Sequence, residues 1–143
     1  MSGIVAIGGG QASFSFVQKL RGLGYNGAIT LICGENIIPY QRPPLSKKFL
    51  LGKISKNQLL LRPEIYYSDN KINLIIGKKV ARIKKSQRII ELEDGFCLSY
   101  EKLFIGIGSR VKLLPKSMTR SMTGIYYIRG VKDIELVSKE FIK

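Results

Sequence analysis

Histidine and tryptophan are absent from this 143-residue chain, and cysteine occurs only twice. Without histidine there is no side chain whose ordinary pKa makes it a general base near neutrality, and the commonest metal ligand is missing. Ser-His-Asp and Cys-His catalytic arrangements are excluded for the same reason. Cys33 and Cys97 stand 64 positions apart, so the sequence has neither a CxxC redox pair nor a zinc-binding spacing. No metal site is expected, and each cysteine, lying beside an apolar run, is expected to be a small buried hydrophobe. No apolar run approaches the roughly 18 residues that a membrane span needs. No signal-peptide pattern precedes the first apolar segment, so a cytoplasmic, reducing setting is expected. Acid is scarce: 10 Asp and Glu face 24 Lys and Arg, for a net charge of +14. Such a surface attracts polyanions. The chain has no RNP-like aromatics, zinc spacing or basic amphipathic helix to accompany the charge. A nucleic-acid partner is therefore not expected, and a basic nucleic-acid-binding protein is a distant alternative resting on charge alone.

What is present is a chain long enough for one domain with a real core, 45% of it apolar. Ile4-Val5-Ala6-Ile7 has the all-apolar pattern of a strand buried on both faces. Gly8-Gly9-Gly10 ends it, and Ala12, Phe16, Leu20 and Leu23 then recur at helical spacing until Gly22 and Gly24. Ile29-Thr30-Leu31-Ile32 is the next strand, completing a βαβ unit with parallel strands. Ser46 is placed to cap a short helix over residues 47–51, and Pro63 to start another over 64–68. Residues 72–76 read as a third buried parallel strand. An antiparallel meander follows at about 79–100, with Asp94-Gly95 as its hairpin turn. Residues 103–108 return to the buried-strand pattern, 125–128 read as a last short strand, and an amphipathic helix begins at Asp133.

Two features in this frame carry chemistry. Gly8, Gly10 and Ser13 fall on the frame GxGxxG between a strand and a helix. There the first glycine allows a tight turn, the second lets a pyrophosphate approach the backbone, and the third allows close helix–strand packing. Free N–H groups at the helix start favour an anion. Glu35 follows the second strand, 22 residues beyond Ser13, where a carboxylate accepts hydrogen bonds from an adenosine ribose. Downstream lies Pro39-Tyr40-Gln41-Arg42-Pro43-Pro44-Leu45-Ser46-Lys47. Its adjacent prolines fix φ and remove N–H donors, so Arg42 and Lys47 sit on a stiff track.

These segments, with Thr30-Leu31-Ile32 before them and Leu59-Leu60-Leu61-Arg62-Pro63-Glu64 after, closely resemble the FAD-dependent ferredoxin and rubredoxin NAD(P)H reductases. Those enzymes belong to the pyridine nucleotide-disulfide oxidoreductase fold group. The likeness continues through Leu92-Glu93-Asp94-Gly95, Tyr100-Glu101-Lys102-Leu103, Gly108-Ser109-Arg110 and Tyr127-Ile128-Arg129. It implies an α/β fold: a Rossmann-like, FAD-binding parallel βαβ sheet with an inserted antiparallel meander, incomplete at its C-terminal side. It implies FAD as cofactor, NAD(P)H as hydride donor and a ferredoxin- or rubredoxin-like protein as electron acceptor. Carried over by position, Gly8, Gly10 and Ala12 approach the FAD pyrophosphate and Glu35 the adenosine ribose. Arg42 offsets phosphate charge, Val80 meets the adenine through its backbone, and Arg129 is a further FAD contact. Lys47 is the catalytic residue, placed near the reactive edge of the isoalloxazine.

Two departures stand out: Ser13 at the third glycine, and Gly106-Ile107 where relatives carry Ala-Thr. In such enzymes the chain leaves the FAD domain for an NAD(P)H domain with a second glycine motif. Residues 1–143 correspond to the N-terminal segment of the FAD domain, with about 110–143 as the exit, and the isolated chain is expected to be catalytically incomplete. The alternative is a non-catalytic binding module or eroded remnant of such a reductase.

Overall fold

The computed structural model describes residues 3–141. In chain order the regular elements are β1 (Gly3–Ile7), α1 (Gln11–Gly22), β2 (Ile29–Cys33), a wide helical turn (Leu45–Phe49), α2 (Lys56–Leu59) and α3 (Glu64–Asp69). There follow β3 (Ile72–Ile76), β4 (Val80–Lys84), a short 3-10 turn (Lys85–Gln87), β5 (Ile89–Leu92), β6 (Cys97–Ile105), α4 (Lys116–Thr119) and α5 (Val131–Glu140). The chain divides into two compact units: Met1–Tyr40 with Leu60–Gly108, and Gln41–Leu59 with Ser109–Lys143.

The first unit holds the sheet, six strands in the order β3-β2-β1-β6-β5-β4. β1 pairs in parallel with β2 on one side and β6 on the other, and β2 pairs in parallel with β3. β5 pairs antiparallel with β4 on one side and with β6 on the other. The nine residues of β6 serve both parts. Cys97, Leu98 and Ser99 pair with β5, and Tyr100 and Lys102 to Ile105 pair with β1 across a register shift. The end of the meander and the run read at 103–108 are thus largely one strand, because a single extended segment can continue from one ladder into the next.

Alternation along β1 explains the two cores. Ala6 joins Phe14, Val17, Ile29, Leu31, Cys33, Ile38, Tyr67 and Ile72 on the side of α1 and α3. Val5 and Ile7 join Ile32, Ile90, Leu92 and Tyr100, so the meander covers the opposite side. In α1 the buried positions are Ser13, Phe14 and Val17. The face read from Ala12 and Leu23 is its neighbour: both are exposed, and Leu23 lies past the helix end. β3 is parallel as expected but stands at the sheet edge, with only Ile72 buried, because among the described residues no strand pairs with its outer side.

Arg21 closes the end of the βαβ unit away from the glycine turn. Its guanidinium donates to the carbonyls of Tyr25, Gly27, Asn70 and Lys71 at 2.5 to 2.9 Å. At the Asp94-Gly95 hairpin, Gly95 has φ +85° and Phe96 N–H donates to the Asp94 carboxylate at 3.1 Å. Lys78 pairs with Asp94 at 2.6 Å and holds its carboxyl below the usual range. A hydrogen bond from Lys84, 3.0 Å away, lowers Glu91 in the same way. Cys97, expected to be buried, is exposed on the outer face of β6, in register with Glu91 rather than with the buried Ile90.

The second unit holds the proline loop from Gln41 onward, and α5. Val131, Ile134 and Val137 recur at helical spacing and are buried, as are Leu45 and Leu59. The helix expected from a Ser46 cap begins earlier, at Leu45 after Pro44, without a side-chain cap. Its bonds Phe49 N–H to Pro44 O and Leu50 N–H to Leu45 O span five residues, which makes it a widened turn. Residues 125–128 form no strand. A strand needs a ladder, and none of the described pairings includes them. The Tyr127 hydroxyl instead accepts the Leu114 N–H at 2.9 Å.

Candidate functional site

β1 has partners on both sides, so its carboxyl end lies where the strand order reverses, the place at which open α/β sheets bind ligands. The glycine turn stands there. Gly8 donates to Ile32 O at 2.8 Å and has φ +117°. A Cβ on it would strike the Gly106 carbonyl, so both conformation and space require glycine. Gly10 caps α1 without any side-chain hydrogen bond, and the first turn of α1 has no acidic residue. The place of a Cβ on Gly10 is open, with nothing within 4 Å. First-turn N–H groups, positive dipole and open space together fit the phosphate of a dinucleotide.

Ser13 is fully buried beneath this turn and donates to Ile7 O at 3.2 Å. A Cβ on Gly106 would collide with the Ser13 hydroxyl and lie 2.8 Å from Phe104. The two departures read from the sequence therefore meet: the serine fills space that the glycine leaves, and close helix–strand packing survives.

Glu35 lies half-buried beyond the end of β2. Tyr40, 2% exposed, donates its hydroxyl to Glu35 Oε2 at 2.7 Å. The Glu35 carbonyl accepts Gly77 N–H at 3.0 Å, and a Cβ on Gly34 would lie 3.3 Å from Lys79. Val80 therefore begins β4 beside the Glu35 segment, half-buried, and it also packs against the core containing Ile90 and Leu92. Cys33 packs under Gly9, whose Cβ would lie 3.0 Å from the cysteine Cβ. Burial first, and the Glu35 charge second, push the Cys33 thiol up to about 12. It is an inert packing group. Gly8, Gly10, Ala12, Glu35 and Val80 thus belong to one unit.

Arg42, Lys47 and Arg129 belong to the other. Arg42 Nη1 donates to the Arg129 carbonyl at 2.6 Å. Asp133, in the first turn of α5, accepts the N–H groups of Arg129 and Gly130 at 2.7 Å each. Lys47 is exposed, and its backbone (φ −127°, ψ −110°) breaks the wide turn. Sequence reasoning missed Tyr40 and Asp133. Tyr40 stood inside the quoted loop, but only folding shows where its hydroxyl goes. Asp133 carries a readable signal, an acid three residues after a glycine N-cap. Among the described residues no cluster of His, Cys, Asp or Glu could hold a metal ion, and no helix is long and apolar enough to cross a membrane.

The sheet order and the strand–glycine-turn–helix define an α/β protein of the Rossmann-like class. The chain belongs to the pyridine nucleotide-disulphide oxidoreductase family, whose pattern it matches over residues 2–141. It is 40% identical to the rhodocoxin reductase of Rhodococcus erythropolis over 132 residues, which is 92% of this chain and 31% of that protein. It is 31% identical to the rubredoxin-NAD(+) reductase of Pseudomonas putida over 98% of this chain and 36% of that one. The crystal structure of a ferredoxin reductase from Rhodopseudomonas palustris superposes with a TM-score of 0.89 at 31% identity, covering 99% of this chain and 35% of that one. The chain spans about a third of the length of these relatives.

Proposed function

We propose that this chain carries the FAD-binding part of an oxidoreductase that passes electrons from NAD(P)H through FAD to a ferredoxin- or rubredoxin-type protein. The observation that carries the reading is the uncapped glycine turn at the point where the strand order reverses. The named relatives supply the electron-transfer class. FAD, when bound, accepts an electron pair from a hydride donor and releases electrons singly. Gly8 and Gly10 keep the turn open so that the N–H groups at the start of α1, Ala12 among them, meet the pyrophosphate. Glu35 accepts from the adenosine ribose, and the Val80 backbone borders the adenine. Arg42, held by the Arg129 carbonyl, offsets phosphate charge, and Arg129 is a further FAD contact. Lys47 supplies a fixed cation that favours added electron density on the flavin. Hydride transfer from NAD(P)H and delivery to the acceptor are proposed for a protein in which these residues work together with the counterpart of the relatives' remaining two thirds. A cytoplasmic setting belongs to the same reading and suits two unpaired thiols.

The alternative of a non-catalytic binding module or eroded remnant loses the support of Ser13 and Gly106, because these two accommodate each other. Titrating FAD into the 143-residue protein, followed by flavin fluorescence and thermal melting, tests the proposal. Ligand at about 100 times its Kd stabilises a folded protein by about 2.7 kcal/mol, so a Tm that rises with the logarithm of FAD concentration is expected, with a saturable change in flavin fluorescence. Melting indifferent to excess FAD, with flavin fluorescence unchanged, would overturn it.

A further inference from the structure

We propose that Tyr40 is a positioning residue for the Glu35 carboxylate, and that its hydroxyl gives the site its discrimination for the adenosine ribose; this rests on the FAD reading above. The local construction is unusual for a loop. Tyr40 is almost wholly buried, and Pro39 beside it is among the fully buried side chains. Backbone pairing fixes the segment, because Tyr40 bridges to Leu60 and the Pro39 carbonyl accepts Leu61 N–H at 2.9 Å. The phenol turns back five residues and donates to Glu35 Oε2 at 2.7 Å.

An ionised carboxylate is an acceptor only, and a phenol is the donor it needs. A charge-assisted bond of this kind is short and directional. The backbone that carries this side chain is fixed as well, since Gly77 N–H donates to the main-chain carbonyl of Glu35 at 3.0 Å. Glutamate has three side-chain torsions, and a swinging carboxylate loses much of a ribose hydrogen bond to ordering cost. Tyr40 meets that cost during folding, so the acceptor is already oriented when ligand arrives. Burial of the ring gives the hydroxyl one fixed direction, which a surface residue would lack.

The test is a ratio of affinities: the Kd for FAD carrying a 2′-deoxyadenosine, divided by the Kd for FAD. A positioned Glu35 makes this ratio on the order of 10 in the wild-type chain. Tyr40→Phe keeps the ring and removes only the hydroxyl; the ratio is expected to fall toward 1. Glu35→Gln should lower it too, with Tyr40→Phe adding nothing in that background. Tyr40→fluorotyrosine, which keeps the donor and the packing, should retain the wild-type ratio and serves if Tyr40→Phe does not fold. Weakening of both ligands by Tyr40→Phe with the ratio unchanged overturns the role of Tyr40 and leaves the FAD reading standing; so does loss of the ratio in the fluorotyrosine protein. A wild-type chain that binds neither ligand overturns the FAD reading and this role with it.

Discussion

The hydroxyl of Ser13 lies where a Cβ on Gly106 would have to stand. The two residues are 93 positions apart, one buried in α1 and the other just past the end of β6, where its N–H donates to Ile7 O at 2.8 Å. The Ser13 hydroxyl donates to that same carbonyl at 3.2 Å. One acceptor at the end of β1 thus ties the helix and the neighbouring strand together.

A mutational cycle should expose this coupling. Gly106→Ala overpacks the contact and is expected to destabilise by about 1–3 kcal/mol. Ser13→Gly alone loses a hydrogen bond and helix propensity, about 1–2 kcal/mol together. The double variant should recover about 1 kcal/mol or more relative to the sum, measured by denaturant unfolding. Strict additivity would show that the two positions do not share space.

Arg21 makes four hydrogen bonds to backbone carbonyls from a half-buried position. Arg21→Lys keeps the charge and loses the fork, so a loss of about 1–3 kcal/mol is expected. Hydrogen exchange should speed most around residues 25–27 and 70–71. An unchanged midpoint would mean that the fork adds nothing to a single charge.

The two cysteines should behave as different chemical species. Cys97 is exposed, whereas Cys33 is buried and its thiol is held near 12. At pH 8, native protein should take up one equivalent of a thiol reagent and unfolded protein two. The sign for stability follows from the raised folded value. The buried neutral thiol contributes fully below the ordinary thiol pKa. That contribution is lost as pH rises from there toward 12, because the unfolded chain ionises first. Cys33→Ser should reduce the loss of stability in that alkaline window.

Lys47 is exposed and Arg42 is anchored, so their variants should separate stability from cofactor chemistry. Lys47→Ala is expected to leave unfolding free energy within about 0.5 kcal/mol while making flavin harder to reduce in the holoprotein. Arg42→Ala should cost stability as well as FAD affinity, since it leaves the Arg129 carbonyl without its guanidinium donor. Spectroelectrochemical titration checks the first and denaturant unfolding the second. A Lys47→Ala holoprotein with wild-type potential removes the proposed role of the lysine.

Much of the fold was legible because its signals are local. The short apolar run, the glycine turn and the return to an apolar run specify β1, α1 and β2 through steric preferences of near neighbours. Asp94-Gly95 announced the hairpin between β5 and β6 for the same reason. Errors arose where burial depends on what lies alongside. Ile72–Ile76 has an apolar pattern yet forms an edge, Cys97 adjoins an apolar run yet faces outward, and residues 125–128 have strand-like composition without a ladder. The helix face was misread because Ala12 and Leu23 keep helical period with Phe16 and Leu20 while lying outside the core.

By itself the sequence determined the βαβ start, the glycine turn, the position of Glu35 and the stiffness of the proline loop. Each follows from the conformational limits of a few adjacent residues. Only the tertiary structure decided that Ser13 fits Gly106, that Tyr40 holds Glu35, that Asp133 caps the turn whose carbonyl holds Arg42, and that β6 joins two ladders. Those relationships depend on which surfaces meet when the chain closes, and directional hydrogen bonds and steric exclusion act only once the groups are side by side.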